Sequence, residues 1–259
     1  MAWDPAQYDL FRRQRRRPAE DLLAAAEAWL GEARPGRVVD LGCGGGDLAN
    51  RLAARWPEAE VTGIDGSAAM LEQARQTATR VIWRQADLAG WTPERPYDLI
   101  VSNAALHWIG DHGTLFPRLL AGLAPGGVLA VQMPRNFAAP SHTLLAETIA
   151  EGPWAARLAD RLGPAPVHAP ERYFDWLAPH AADLDIWETE YLHRLAGEDP
   201  VMNWTRGSTL VPVLERLDQG EQAAFLAAYG AKLRAAYPAR ADGTTLFPFR
   251  RLFVMARRP

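Results

Sequence analysis

Asp40-Leu41-Gly42-Cys43-Gly44-Gly45-Gly46-Asp47 packs four glycines between two acids. An apolar run, Val38-Val39, precedes it, and an amphipathic stretch follows. Glycines let a backbone approach a ligand closely, and the helix opened by such a loop offers unpaired N–H groups. Asp65 ends the next apolar run, 25 residues after Asp40. An acid at that place accepts both hydroxyls of a ribose. Asp87, in Gln85-Ala86-Asp87-Leu88, follows the third run, where a carboxylate can accept from an exocyclic adenine amine. A dinucleotide site needs Gly-x-Gly-x-x-Gly, and position 47, where the third glycine would stand, is Asp. An acid there repels a pyrophosphate and suits a ligand with a cationic amine or sulfonium. Three strand ends sharing one nucleoside chemistry argue against a turn that is merely structural.

The elements that must position these residues are legible as alternating patterns. Val38–Leu41, Glu60–Ile64, Arg80–Trp83, Asp98–Ser102 and Gly127–Val131 read as short strands. Between them Asp47–Trp56, the stretch capped by Ser67, and Leu115–Leu123 read as helices. Strands alternating with helices of about ten residues predict βαβ units and a parallel sheet with right-handed crossovers. After Pro134 the pattern changes. Residues 141–163, 171–182, 208–217 and 220–237 look helical, and 184–195 and 244–257 look like strands that pair antiparallel at the sheet edge. The expected organisation is one α/β domain over 1–259. It has a doubly wound, mostly parallel sheet, a ligand-binding core over about 37–134, and an antiparallel C-terminal edge strand. Helical cap insertions are expected at about 136–182 and 197–243.

Composition narrows the chemistry. The chain has 259 residues, 48% hydrophobic and 23% charged, as in a globular protein. One cysteine, Cys43, leaves no disulfide framework and no cysteine-built zinc site. The six histidines show no H-x-x-x-H spacing, so no metal is expected. A net charge of −3 supplies no basic surplus for a nucleic-acid backbone. No apolar stretch reaches the roughly 20 residues that cross a bilayer, and no signal pattern opens the chain. A cytoplasmic protein without nucleic-acid or membrane partners is therefore expected. Lys232 is the only lysine among 28 basic residues, so an anion site here would be built from guanidinium groups.

Together the glycine loop, Asp65 and Ala86-Asp87-Leu88 resemble the class I S-adenosylmethionine-dependent methyltransferases. Tyr97–Trp108 is similar to that family's fourth motif, and Leu123-Ala124-Pro125-Gly126-Gly127-Val128-Leu129 to the turn into its fifth strand. A narrower resemblance, to the trans-aconitate 2-methyltransferases, extends over the whole chain. It rests on Trp3-Asp4-Pro5 with Tyr8, Arg15–Pro18, Asn103–Trp108, Val131-Gln132-Met133-Pro134 and Arg251–Arg258. The match departs at His107, where some relatives have Gln, and at Arg250, where Pro can occur. Those enzymes esterify one carboxylate of a small tricarboxylate, using S-adenosylmethionine and leaving S-adenosylhomocysteine.

The resemblance implies a cofactor set of Tyr8, Arg17, Asp40, Gly42, Gly44, Asp65, Met70, Asp87, Leu88 and Asn103. Arg17 would hold the cofactor's carboxylate. A carboxylate acceptor is already anionic at neutral pH, so no general base and no catalytic residue is expected. Recognition of a tricarboxylate needs fixed donors, and guanidinium groups bind carboxylates bidentately. The substrate candidates are His107, Trp108, Tyr173, Trp204, Arg206 and Arg251. Arg250, Tyr191 and His193 are weaker candidates, and Cys43 is expected to fill space. The alternative is another small-molecule O- or N-methyltransferase with the same fold and cofactor. A base-methylating enzyme would resemble Asn/Asp-Pro-Pro-Tyr where this chain has Ser102-Asn103-Ala104-Ala105.

Overall fold

Val38, Val39, Leu99, Ile100 and Val101, with residues 128–131, have no exposed surface. Continuous apolar runs of this kind suit the middle of a parallel sheet covered on both faces. The computed structural model describes residues 12–77, 80–162, 165–207 and 209–259. It builds those runs into a seven-stranded sheet. The strands are β1 (Arg37–Leu41), β2 (Glu60–Asp65), β3 (Ile82–Gln85), β4 (Tyr97–Asn103), β5 (Leu123–Pro134), β6 (Asp183–Leu195) and β7 (Thr245–Arg257). Their spatial order is β3-β2-β1-β4-β5-β7-β6. β1 to β5 pair in parallel and β7 pairs antiparallel to β5. The order reverses between β1 and β4. In open α/β sheets, ligands bind outside the strand carboxyl ends at such a switch point.

The helices are α1 (Arg12–Leu30), α2 (Asp47–Arg55), α3 (Ala68–Arg75), α4 (His112–Ala121), α5 (Pro140–Glu151), α6 (Ala155–Leu158), α7 (Pro170–Leu177), α8 (Pro200–Arg206), α9 (Val211–Leu214) and α10 (Gln219–Ala236). Helix α2 buries Leu48, Ala49, Leu52 and Ala53. Ser67 caps α3 by accepting from the Met70 N–H. Asp218 and Glu221 close a reciprocal capping box at α10.

Past Pro134 the elements are shorter than the hydrophobic pattern suggests. The helix expected over 141–163 stops at Glu151, because Gly152-Pro153 follows and proline disfavours helical backbone before it. The Trp154 indole folds back to donate to the Thr148 carbonyl at 2.9 Å. It passes so close to Gly152 that a Cβ there would lie 2.2 Å from the ring. The stretch 171–182 shortens to α7, and 208–217 to α9. The pattern gave no sign of α8, although Pro200 at its first turn is a helix-start signal.

Contacts divide the chain into two compact units. The first contains Arg17–Pro134, Pro166–Thr189 and Arg251–Pro259; the second contains Arg135–Ala165 and Glu190–Arg250. The division falls inside β6 and β7. It also differs from the grouping expected of the sequence, for α7 belongs with the sheet core and not with α5. An aromatic cluster explains this. Tyr173 of α7 has no exposed surface and lies edge-to-face on Phe116 of α4 at 4.9 Å. In the second unit, Phe225, Tyr229, Phe247 and Leu210 are fully buried in a separate apolar cluster.

In the first unit one ring disciplines the glycines. A Cβ on Gly46 would lie 2.5 Å from Trp83, and a Cβ on Gly63 2.4 Å from it. Gly63→Ala should therefore lower stability by about 1–3 kcal/mol through overpacking. Urea unfolding of both variants checks this, with a smaller loss expected when Trp83→Leu is present in the same chain.

Candidate functional site

The glycine loop is tied down before any ligand arrives. Gly42 and Cys43 donate N–H bonds to the Ile64 carbonyl at 2.8 and 3.0 Å. Gly44 donates to Asp65 Oδ2 at 2.9 Å, and Ser67 donates to Asp65 Oδ1 at 2.8 Å. Asp65 thus clamps the loop to the end of β2. Each of its oxygens keeps a lone pair for a hydroxyl. Gly42, Gly44 and Gly46 have φ of 75, 51 and 85°, the left-handed region that glycine enters without strain. Gly42 also has no room for a side chain, since its Cβ would lie 2.1 Å from Ala105 Cβ and 3.7 Å from Leu88. The loop therefore abuts the segment after β4 and reaches Leu88 after β3.

Asp40 sits beneath this loop, 1% exposed. The backbone N–H of Ala49, in the first turns of α2, favours its charged form. Its Oδ2 is buried with no hydrogen-bond partner. Burial, and then the neighbouring Asp65 and Asp47 charges, push its pKa up to about 7. Asn103, at the end of β4, likewise carries a buried Oδ1 with no partner. Two orphaned acceptors at adjacent strand ends ask for a positively charged donor. An S-adenosyl cofactor carries an ammonium and a sulfonium, so the residues present fit it.

Asp87 is exposed, with Oδ1 accepting from the Ala89 N–H at 3.0 Å. Arg118 of α4 donates to the Leu88 and Ala89 carbonyls and pins that segment. Met70 is half-buried at the start of α3. Arg17 is exposed on α1, its Nε 3.9 Å from Asp21. Tyr8 and Trp3 lie outside the described residues, as do the side chains of Arg12, Arg13 and Arg15.

Beyond β4 the chain takes a strained step. Ala104 adopts φ 52° and donates to the Gln132 carbonyl at 2.9 Å. A non-glycine residue held there costs on the order of 1–3 kcal/mol. A short 3₁₀ turn, Leu106–Trp108, follows. His107 Nδ1 is buried without a hydrogen-bond partner. Burial, and then the Arg251 and His112 charges, hold the His107 imidazole down to about 3, so it is neutral. Trp108 is 70% exposed, its ring 4.6 Å from His107. Arg251, on β7, is 5% exposed and donates to Gln132 Oε1 at 3.3 Å.

Other substrate candidates are placed elsewhere. Tyr173 is a correction: its hydroxyl pairs with His112 Nδ1 at 2.7 Å and accepts from the His168 N–H. His112 Nε2 in turn meets the Leu106 carbonyl at 3.0 Å. A carbonyl can only accept, so that nitrogen carries the proton and Nδ1 accepts from Tyr173. The pair braces the 3₁₀ turn from below. Trp204 belongs to the second unit, buried among His193, Phe247 and Phe249. Arg206, also there, is exposed and lines a groove with Glu198, Asp199, Asn203 and Arg234. Arg250 of that unit faces Glu190 at 3.7 Å. Cys43 is buried, and burial pushes its thiol up, which suits a filler and not a nucleophile.

Gln132 was not among the candidates. It has no exposed surface, and its Nε2 is buried with no partner. The available signal was a lone amide inside the apolar run Val128–Met133.

Comparisons with known proteins follow the same lines. Residues 38–127 match the family model described as a methyltransferase domain. A trans-aconitate 2-methyltransferase of Azoarcus sp. strain BH72 is 51% identical over 99% of this chain and 99% of its own. A trans-aconitate 2-methyltransferase of Methylobacterium radiotolerans is 49% identical over 99% and 98%. Among solved structures, a Haemonchus contortus phosphoethanolamine N-methyltransferase 2 in complex with S-adenosyl-L-methionine aligns at TM-score 0.55 and 18% identity, covering 93% of this chain and 53% of that one. The YcgJ protein of Bacillus subtilis aligns at TM-score 0.59 and 14% identity, over 92% and 98%. The structural likenesses speak to fold alone.

The raised Asp40 pKa carries a signed consequence. Between about pH 4 and 7 the folded chain holds a proton that the unfolded chain has lost, so stability falls as pH rises through that window. Across the whole window the loss amounts to about 4 kcal/mol at full effect. Urea unfolding across pH 4.5–8 should show this decline in the wild type and a flatter profile in Asp40→Asn.

Proposed function

The chain belongs to the trans-aconitate 2-methyltransferase family, and from that membership we infer its reaction. It transfers a methyl group from S-adenosylmethionine to one carboxylate of a small polycarboxylic acid, trans-aconitate. The products are a monomethyl ester and S-adenosylhomocysteine. The observation that carries this reading is identity of about half over nearly the whole of both chains.

Bound S-adenosylmethionine supplies a methyl group made electrophilic by the sulfonium that bears it. The chain's residues bind and orient. Asp40 Oδ2 and Asn103 Oδ1 accept from the cofactor's ammonium, and Asp65 accepts from the ribose hydroxyls. Gly42 and Gly44 bring the backbone close, while Met70, Asp87 and Leu88 form the adenine edge. On the acceptor side His107, Trp108 and Arg251 meet the polycarboxylate. A carboxylate with an ordinary pKa near 4 is ionised at neutral pH and brings its own nucleophilic lone pair. Alignment of the two partners can contribute about 7–11 kcal/mol in favourable cases, and exclusion of water strengthens the attraction between them.

A small-molecule substrate, with neither nucleic acid nor membrane as partner, follows from this reading. No described helix is long and apolar enough to cross a membrane. We place the enzyme in the cytoplasm, since a single buried thiol makes no demand on an oxidising compartment.

Labelled S-adenosylmethionine and trans-aconitate should give a product whose label is released as methanol by mild alkali, as an ester requires and an N-methyl group does not allow. Silence with every polycarboxylate tested overturns the reading. Arg251→Ala should raise the acceptor KM by about 10–100-fold, the loss of one charge-assisted contact. S-adenosylhomocysteine affinity, by calorimetry, should stay within about twofold of wild type.

A further inference from the structure

Strand register places four polar residues on one face of the sheet. Asp40 pairs with Val101, Asn103 with Gln132, and Pro134 with Arg251. Paired residues share a face, and so do residues two apart on one strand. Asp40, Asn103, Gln132 and Arg251 therefore project from the same face, on four neighbouring strands β1, β4, β5 and β7. The Arg251–Gln132 hydrogen bond is the independent check on this parity.

The hydrogen-bonding sense changes along the row. Asp40 Oδ2 and Asn103 Oδ1 are buried acceptors without partners, whereas Gln132 Nε2 is a buried donor without one. The Gln132 amide cannot be turned round. A guanidinium only donates, so Oε1 must be the atom facing Arg251, and the NH₂ group is committed to the other side. A buried amide donor left unmatched costs about 1–3 kcal/mol, and among the described residues it meets no acceptor. His107, beside Arg251, adds a further buried nitrogen without a partner.

We propose that Gln132 is a specificity residue for the acceptor: oriented by Arg251, its amide donates to the carboxylate that receives the methyl group. The row then sorts charge, with acceptors at β1 and β4 for the cationic donor and donors at β5 and β7 for the anionic acceptor. A carboxylate finds one charged and one neutral donor there. A protonated amine offers the Gln132 Nε2 donor no lone pair to meet, so the same residue discriminates against it. This assignment rests on the carboxylate-methylation reading above.

The test separates the acceptor from the cofactor and from folding. Gln132→Glu replaces the donor by a carboxylate of equal size that pairs with Arg251 and repels the substrate. Gln132→Met keeps the volume and removes the donor, and it covers the case in which a buried charge prevents folding. Gln132→Met should raise the trans-aconitate KM about tenfold and Gln132→Glu about 100-fold or more. S-adenosylhomocysteine binding by calorimetry should change less than twofold in each variant that folds. A wild type silent on trans-aconitate and on every other polycarboxylate tested overturns the acceptor reading and this assignment with it. An active wild type whose folded variants keep its KM overturns the assignment alone. A Gln132→Met protein that loses S-adenosylhomocysteine binding together with acceptor use also overturns it, by placing the amide on the cofactor side or in the fold's support.

Discussion

The site depends on a carboxylate that the fold buries and only half satisfies. Asp40 stands one residue from the end of β1, lies buried beneath the glycine loop, and keeps an oxygen with nothing to bond. A buried charge in that position is costly unless a cation meets it. The local sequence follows from that constraint. The chain must leave β1, pass over the carboxylate and enter α2 without blocking the ligand that will neutralise it. That demands left-handed turns at Gly42, Gly44 and Gly46 and closeness to Ala105 that no side chain would permit. It also demands a clamp, which Asp65 provides by holding the Gly44 and Ser67 amides. The unliganded protein thus carries a local cost that a cationic ligand removes, and that relief adds to the ligand's affinity.

The part of this arrangement legible in the sequence was the part written in local pattern. Glycines between acids, apolar runs of four or five residues and an acid at or just past the end of the first three are short-range signals, and they located the loop, Asp65 and the central strands. Tertiary context decided what the pattern could not hold. Trp83 reads as one apolar residue in a strand, yet its ring explains why Gly46 and Gly63 carry no side chain. Tyr173 has the right chemistry to donate to a carboxylate, but His112 lies 61 residues away in the chain and takes its proton. Gln132 is the opposite case. An amide in an apolar strand is ordinary until register shows that its neighbours across the sheet are Asn103 on one side and, one step along, Arg251 on the other.

Opposite charges set the scale of the chemistry. The reaction brings a sulfonium and a carboxylate together and cancels both, so a site that stabilised either one too well would slow the step. Burying the row lowers the screening between the partners, and spreading the protein's own charges to its two ends keeps each from binding the other's ligand. On the proposed assignment the neutral amides, Asn103 and Gln132, occupy the middle, where charge disappears during the transfer. They orient without adding net charge that would have to be overcome.

This division also accounts for the kind of cation at the acceptor end. Beside Arg251 a histidine has already lost the ability to charge, its pKa held down near 3 by burial and by the guanidinium itself. A lysine in the same apolar strand would face the same desolvation, and a buried ammonium gives up its proton readily. Guanidinium does not, since its charge is delocalised and its intrinsic pKa lies far above neutral. Arginine is thus the basic side chain suited to a position on β7 that is only 5% exposed. Its Nη1 holds Gln132 Oε1 at 3.3 Å, and on the proposed assignment the same guanidinium attracts the substrate, so one residue sets both the charge and the geometry of that end.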